Sequence, residues 1–274
     1  RRNSRIYFPV PVQDGAGVKL GRTIGSFRLE NLDPFLLLDE FNSADPSAYI
    51  AGFPNHPHRG FETVTVMLEG YMEHKDNKGN QGLLGPGSVQ WMTAGSGVVH
   101  SEMPKMENGK LHGFQLWLNL PSSHKMIPPR YQDINPEEFP TLDSECYHIR
   151  VIAGTYMGVT GPVKDVVTQP LMLDITLNAN CQLDLDTSYH ETFIAYLYEG
   201  NCYVSEDLET PSPALLTFFK GDYLRLKSHE TTHGKYLVVG AMPIGEPIVR
   251  RGPFVMNTIE ELAKAESDYR NGKF

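Results

Sequence analysis

The stretch Asn55-His56-Pro57-His58-Arg59-Gly60-Phe61-Glu62 sets two histidines one residue apart, just ahead of a β-branched run. Successive side chains on an extended backbone point to opposite faces, so His56 and His58 share one face. Val98-Val99-His100-Ser101-Glu102 repeats the pattern with a histidine and a glutamate. If both stretches are strand ends facing one cavity, three imidazoles and a carboxylate converge there. That donor set leaves octahedral positions open for water, O2 or a chelating substrate, and it suits Fe(II) better than most alternatives. Affinity alone does not choose iron over nickel, copper or manganese, so other divalent metals remain open. Structural zinc usually brings thiolates, and none is near. A lone histidine beside a proline reads as a surface turn; two such pairs at strand–turn junctions read as a site. Glu62, four residues beyond His58, is expected on the same face. It is a candidate ligand in place of Glu102, or an acceptor that orients an imidazole. Phe53 and Gln115, near the ligand stretches in the chain, are expected to reach the cavity.

Outward from this stretch the chain is a succession of short alternating or apolar runs between glycine and proline turns. Ile6–Val12, Phe35–Phe41, Glu62–Gly70, Val89–Thr93 and His112–Leu120 read as strands. Pro121–Pro140 is polar and proline-rich and reads as a linker, with Asn135-Pro136-Glu137-Glu138 opening a short helix. Strands resume at Ile149–Ala153, Leu171–Leu177, Thr192–Tyr198, Ala214–Phe219 and Tyr236–Val239. The pattern predicts an all-β sandwich or barrel. Leu197-Tyr198-Glu199-Gly200 echoes Met67-Leu68-Glu69-Gly70, and Lys220-Gly221-Asp222 echoes Pro86-Gly87-Ser88, the marks of a decayed internal duplication. Counting from these pairs sets Asp186, Ser188 and Thr192 against His56, His58 and Glu62, and Gly234 and Tyr236 against His100 and Glu102. One metal, in the first half only, is expected. Thr258-Ile259-Glu260-Glu261 is a capping box opening a terminal helix with Ile259, Leu262, Ala263 and Tyr269 on one face. The expected division is residues 1–125 as a metal-binding β domain, 126–145 as linker, and 146–274 as a degenerate second β domain with the terminal helix.

With 274 residues, 40% of them hydrophobic, the chain can bury the core of one large or two ordinary domains. A net charge of -9 disfavours direct nucleic-acid binding. No run approaches the ~18 apolar residues that cross a bilayer, and no leader is visible, although a chain opening on Arg1 is expected to continue a longer one. Cys146, Cys181 and Cys202 are an odd count without CxxC spacing, so free thiols in a reducing, intracellular compartment are expected, cytoplasmic or nuclear. Gly15, Gly17, Gly21 and Gly25 punctuate a stretch bearing Lys19, Arg22 and Arg28. Its spacing is not that of a phosphate cradle. It reads as a hairpin connection, a basic surface loop able to contact a protein partner.

The two ligand stretches look like the paired motifs of the cupin superfamily. More closely, Asn31-Leu32-Asp33-Pro34-Phe35, His56–Thr63, Gln90–Gly95, His100–Pro104, Gln115-Leu116-Trp117 and Gly252–Asn257 resemble the pirin family. The resemblance implies a bicupin of two stacked β-barrels with one iron, Fe(II) or Fe(III), in the N-terminal one. The family's three histidines and one glutamate fall on His56, His58, His100 and Glu102, whereas Glu62 takes the motif-one glutamate position of other cupins. It also implies flavonol (quercetin) 2,3-dioxygenase activity, with the flavonol held through its 3-hydroxyl, O2 consumed and carbon monoxide released. Glu102 would then serve as ligand and proton acceptor. The alternative it implies is a non-enzymatic, iron-redox-sensing transcriptional co-regulator whose partner surface lies near Lys19 to Arg28. This sequence is less arginine-rich there than animal pirins.

Overall fold

The computed structural model describes residues 3–105, 109–205 and 208–274. By contacts the chain falls into two units, Val10–Pro136 with Ile244–Phe274, and Glu137–Pro243 with Arg1–Pro9. The boundaries thus run differently from the expected spans, because both ends of the chain return to the opposite half. Ile6–Val12 is not one strand. β1 (Asn3–Tyr7) pairs in the second-half unit and β2 (Val10–Asp14) in the first, broken at Phe8-Pro9, where proline offers no ladder donor.

The unit with the histidines holds β2, β3 (Val18–Arg22), β4 (Phe35–Ser43), β5 (Phe53–His58), β6 (Phe61–Glu69), β7 (Met72–Asp76) and β8 (Gln81–Leu84). It continues with β9 (Val89–Thr93), β10 (Val98–Pro104), β11 (Leu111–Asn119) and β12 (Arg130–Ile134). One sheet runs β12–β9–β6–β11–β4–β3–β2 and the other β5–β10–β7–β8. Apolar side chains of both sheets meet, among them Leu20, Phe41 and Met67 from the first and Met72 and Leu84 from the second. β4 is buried continuously from Phe35 to Phe41, which is why its sequence is an apolar run and not an alternation. β12 lies inside the stretch expected to be a linker and pairs with β9 at the sheet edge, the place where flanking prolines are tolerated. The short helix after it is a 3-10 turn, Pro136–Glu138.

The turn between β5 and β6 is built on Gly60, whose φ is 91°. A Cβ there would overlap the carbonyl oxygen of Val255, so the turn needs glycine for space as well as conformation. Behind it the fully buried Lys125 ammonium donates to the Gly60 carbonyl (2.8 Å), Asn119 Oδ1 (2.6 Å) and the Val255 carbonyl (3.1 Å). Three N–H donors meet three acceptors, which is what allows the charge to be buried.

The C-terminal segment is part of this unit. It forms a hairpin, Val249–Arg251 with Phe254–Met256, and then α1 (Ile259–Arg270). The Thr258/Glu261 capping box is present. The buried face of α1 is Leu262, Ala265 and Asp268, however, and Ile259, Ala263 and Tyr269 are exposed. The expected stripe treated the helix as apolar-faced, whereas Asp268 is turned inward to meet Arg59 at 2.9 Å, and Phe274 lies under the same guanidinium at 4.3 Å. No described helix is long and apolar enough to cross a membrane.

In the other unit Thr192–Ser205, Gly234–Ala241 and Leu171–Leu177 form the centre of a sheet around a core of leucine, isoleucine, valine and tyrosine. The topology corrects the register read from sequence. The antiparallel pair Gln182–Asp186 and Tyr223–Ser228 takes the place of β5 and β10, while Gly234 and Tyr236 belong to the counterpart of β11. Where the first unit pairs His56 with His100 and His58 with Val98, the second pairs Leu183 with Leu226 and Leu185 with Leu224, all four in its core. Turns of different length between the strands defeat a count from the Gly pairs. The free-thiol expectation is also corrected. Cys146 and Cys181, 35 residues apart, form a disulfide at a Cα separation of 5.4 Å, and Cys202 is free and buried. The Asn178 amide donates to the Cys146 carbonyl and brings the two strand starts together, a contact no cysteine spacing reveals.

Replacing Lys125 with Met strands three buried acceptors. At about 1–3 kcal/mol per unsatisfied group, Lys125→Met should lower unfolding stability in urea by about 3 kcal/mol or more. A loss below about 1 kcal/mol would show that the ammonium does not fasten this turn.

Candidate metal centre

β5 and β10 pair antiparallel with His56 opposite His100, and a register shift between His100 and Glu102 sets Glu102 opposite Phe53. Such a shift re-aims a side chain relative to the regular pleat. On its other side β10 pairs regularly with β7. Ligand atoms of His56, His58 and His100 all lie within 4.8 Å of one another, and these three are the group spaced to hold an ion among the described residues. Their ring centroids are separated by 4.7 Å (56–58), 4.4 Å (56–100) and 5.0 Å (58–100).

Tautomer and burial prepare the imidazoles. His56 Nδ1 lies 2.9 Å from the Pro54 carbonyl, which can only accept, so Nδ1 is the donor there and Nε2 is the nitrogen left to serve as a ligand atom. His100 is 0% exposed and neither ring nitrogen has a hydrogen-bond partner. A buried polar group left this way is costly without a ligand to satisfy it. Burial first, then the charges of neighbouring histidines, push the pKa of His58 and His100 well below the ordinary histidine value, with the Pro253 carbonyl opposing at His58. Neutral rings offer lone pairs to a cation. Glu102 Oε2 is 4.0 Å from His100 Nε2, and Thr65 Oγ1 lies 3.3 Å from Glu102 Oε1 and 2.8 Å from Gln115 Oε1. Burial raises the Glu102 pKa, with His56 and the Thr65 hydroxyl opposing. Orphaned imidazole nitrogens beside a buried carboxylate fit a divalent cation.

A cavity of about 590 Å³ opens on this group. Phe53 and Gln115 line it. So do Trp117, Arg22, Asp39 and Arg250; the sequence reading left Arg22 in a loop and Asp39 in a strand, and gave Trp117 and Arg250 no place in the site. Trp117 could have been found, since it stands two residues from Gln115 on the same strand face. Arg22 and Asp39 are opposite one another in the β3–β4 register and join through two 2.7 Å hydrogen bonds, a pairing that needs the tertiary fold. Burial raises the Asp39 pKa against the pull of Arg22. The tail contributes Arg250, Gly252 and Pro253.

Two expectations change. Glu62 does not share the face of the centre: β6 restarts after Gly60, and Glu62 stands three residues from Thr65, on the opposite face. Its carboxylate accepts from Thr93 Oγ1 at 2.7 Å. The first part of the expected basic loop, Lys19 to Arg22, is in strand β3, and Arg22 lines the cavity, bound to Asp39 and, at 2.8 Å, to Asp14. Lys19 and Arg28 remain exposed.

Comparison with known proteins follows the same lines. The Pirin family model matches residues 17–118, and the model for the pirin C-terminal cupin domain matches residues 172–274. A Pseudomonas aeruginosa protein provisionally named as a quercetin 2,3-dioxygenase is 44% identical, over 96% of this chain and 94% of its own. Human pirin is 40% identical, over 95% of this chain and 89% of its own. The crystal structure of quercetin 2,3-dioxygenase from Acinetobacter baumannii superposes with a TM-score of 0.90 at 33% identity, covering 100% of this chain and 98% of that one.

Purified protein given excess Fe(II) without oxygen and then desalted should retain about one ion per chain, measured by elemental analysis. His100→Ala should retain little. Because the folded pKa values of His58 and His100 are depressed, the folded state binds fewer protons than the unfolded one. Retention and stability should therefore hold at neutral pH and fall as pH drops below about 6.5. Equal retention in wild type and His100→Ala would exclude the site.

Proposed function

The chain belongs to the pirin family, and from that premise we propose that it is an iron-dependent dioxygenase opening the ring of a flavonol such as quercetin, with O2 consumed and carbon monoxide released. One observation carries the reading most: His56, His58 and Glu102 line a cavity walled by Phe53 and Trp117, of a volume suited to a small aromatic molecule, and the unpartnered nitrogens of His100 belong to the same cluster. His56, His58, His100 and Glu102 would hold the iron, and a cation there would supply a lowered pKa for a hydroxyl bound beside it and a centre for oxygen chemistry.

The remaining work falls to the chain's own groups. Phe53 and Trp117 supply flat apolar walls that exclude water from an aromatic substrate. The single Thr65 hydroxyl proton lies between two acceptors, Gln115 Oε1 at 2.8 Å and Glu102 Oε1 at 3.3 Å, and holds the Glu102 carboxylate when it turns to that side. Burial raises the proton affinity of Glu102, which fits it to accept the proton that a flavonol 3-hydroxyl releases on binding. The co-regulator reading lacks a comparable observation, since the central arginine of its expected surface, Arg22, is engaged by Asp39 and Asp14.

The test is carbon monoxide release together with loss of flavonol absorbance by iron-loaded protein under oxygen. Glu102→Gln should reduce kcat by about 100-fold and His58→Ala should abolish turnover. No carbon monoxide from fully loaded wild-type protein, or unchanged turnover in His58→Ala, would overturn the reading.

A further inference from the structure

The cavity presents two arginines in different states. Arg22 is neutralised by Asp39 and Asp14. Arg250, at the first strand of the tail hairpin, forms no ion pair among the described residues. Its Nη1 donates to the Leu36 carbonyl at 3.2 Å and its Nε to the Gly252 carbonyl at 3.4 Å. Its Cζ sits 4.7 Å from the Trp117 ring, and that ring meets His58 edge-on at 5.1 Å. A single indole therefore separates the guanidinium from the metal-centre histidines. A guanidinium carries five N–H donors in a planar fork matched to an oxyanion, and two backbone carbonyls leave part of that fork unused.

Resting on the dioxygenase reading for the histidine end of the cavity, we propose that Arg250 receives an oxyanion of the substrate, a carboxylate or an ionised phenol, at the end remote from His56, His58 and His100. The site then selects aromatic substrates that carry a negative charge opposite their metal-binding group. The Trp117 ring under Cζ and the two backbone acceptors hold the guanidinium in place before the substrate arrives. Burial and the like charge of Arg22 both work against the Arg250 cation, with Asp39, Asp14 and Glu30 opposing. An incoming anion would offset that cost.

The test measures equilibrium binding of two probes to Fe(II)-loaded protein without oxygen: 3-hydroxyflavone and the same compound bearing a 4′-carboxylate. Wild type should bind the carboxylate about 10-fold tighter, the scale of one charge-assisted hydrogen bond. In Arg250→Gln the ratio of the two affinities should fall to about one, and Arg250→Lys should restore part of it. A general loss of structure would weaken both probes together and leave the ratio unmoved. An unchanged ratio in Arg250→Gln that still binds 3-hydroxyflavone as wild type does, no preference in wild type, or no binding of either probe would overturn the assignment. Because no turnover is needed, the two readings separate. A preserved charge preference without carbon monoxide release under oxygen would sink the dioxygenase reading alone. Carbon monoxide release without charge preference would sink the Arg250 assignment alone.

Discussion

The antiparallel register of β5 against β10 is the constraint on which the chemistry of this chain depends. It sets His56 opposite His100 and brings His58 to the same pocket, so three imidazoles meet with little freedom to avoid one another. A slip of one residue would turn each ring to the other face. Neutral, buried histidines with orphaned nitrogens are unfavourable in an empty protein interior and favourable around a cation. The fold has in this sense placed its free energy where a metal can recover it.

Elements distant in sequence hold that register. Gly60 permits the turn after His58, Lys125 ties it to Asn119 and Val255, and Arg59 reaches Asp268 on the terminal helix. The same tail supplies Arg250 and Pro253 to the cavity. The second half shows what the strand pair becomes without the constraint. Leucines 183, 185, 224 and 226 fill the equivalent position, and the space that is a cavity in one unit is packed core in the other. One architecture thus serves chemistry in the first half and packing in the second.

Much of the site was legible because period two is a local property. The i,i+2 spacing of His56/His58 and His100/Glu102, and the position of Gln115, could be read without knowing which strands pair. Reasoning by parity failed where the backbone broke its period. Gly60 ends one strand and Phe61 begins another, so Glu62 left the face predicted for it. The register shift beyond His100 is likewise invisible in the letters. Contacts between distant segments were harder still. Arg22 with Asp39, Cys146 with Cys181, and the tail folded against the histidine barrel each join residues whose proximity no local pattern encodes. Asp268 misled for another reason, since an acidic residue on a helix is ordinarily solvated and this one is buried against a cation.

The central claim is that His56, His58 and His100 bind one ion directly. X-ray absorption at the iron edge of Fe(II)-loaded protein tests it most directly. The account predicts the multiple-scattering signature of about three imidazoles, with the remaining neighbours oxygen, at about 2.0–2.2 Å, the usual range for such ligands. A shell of oxygen alone, or of a single imidazole, would contradict it.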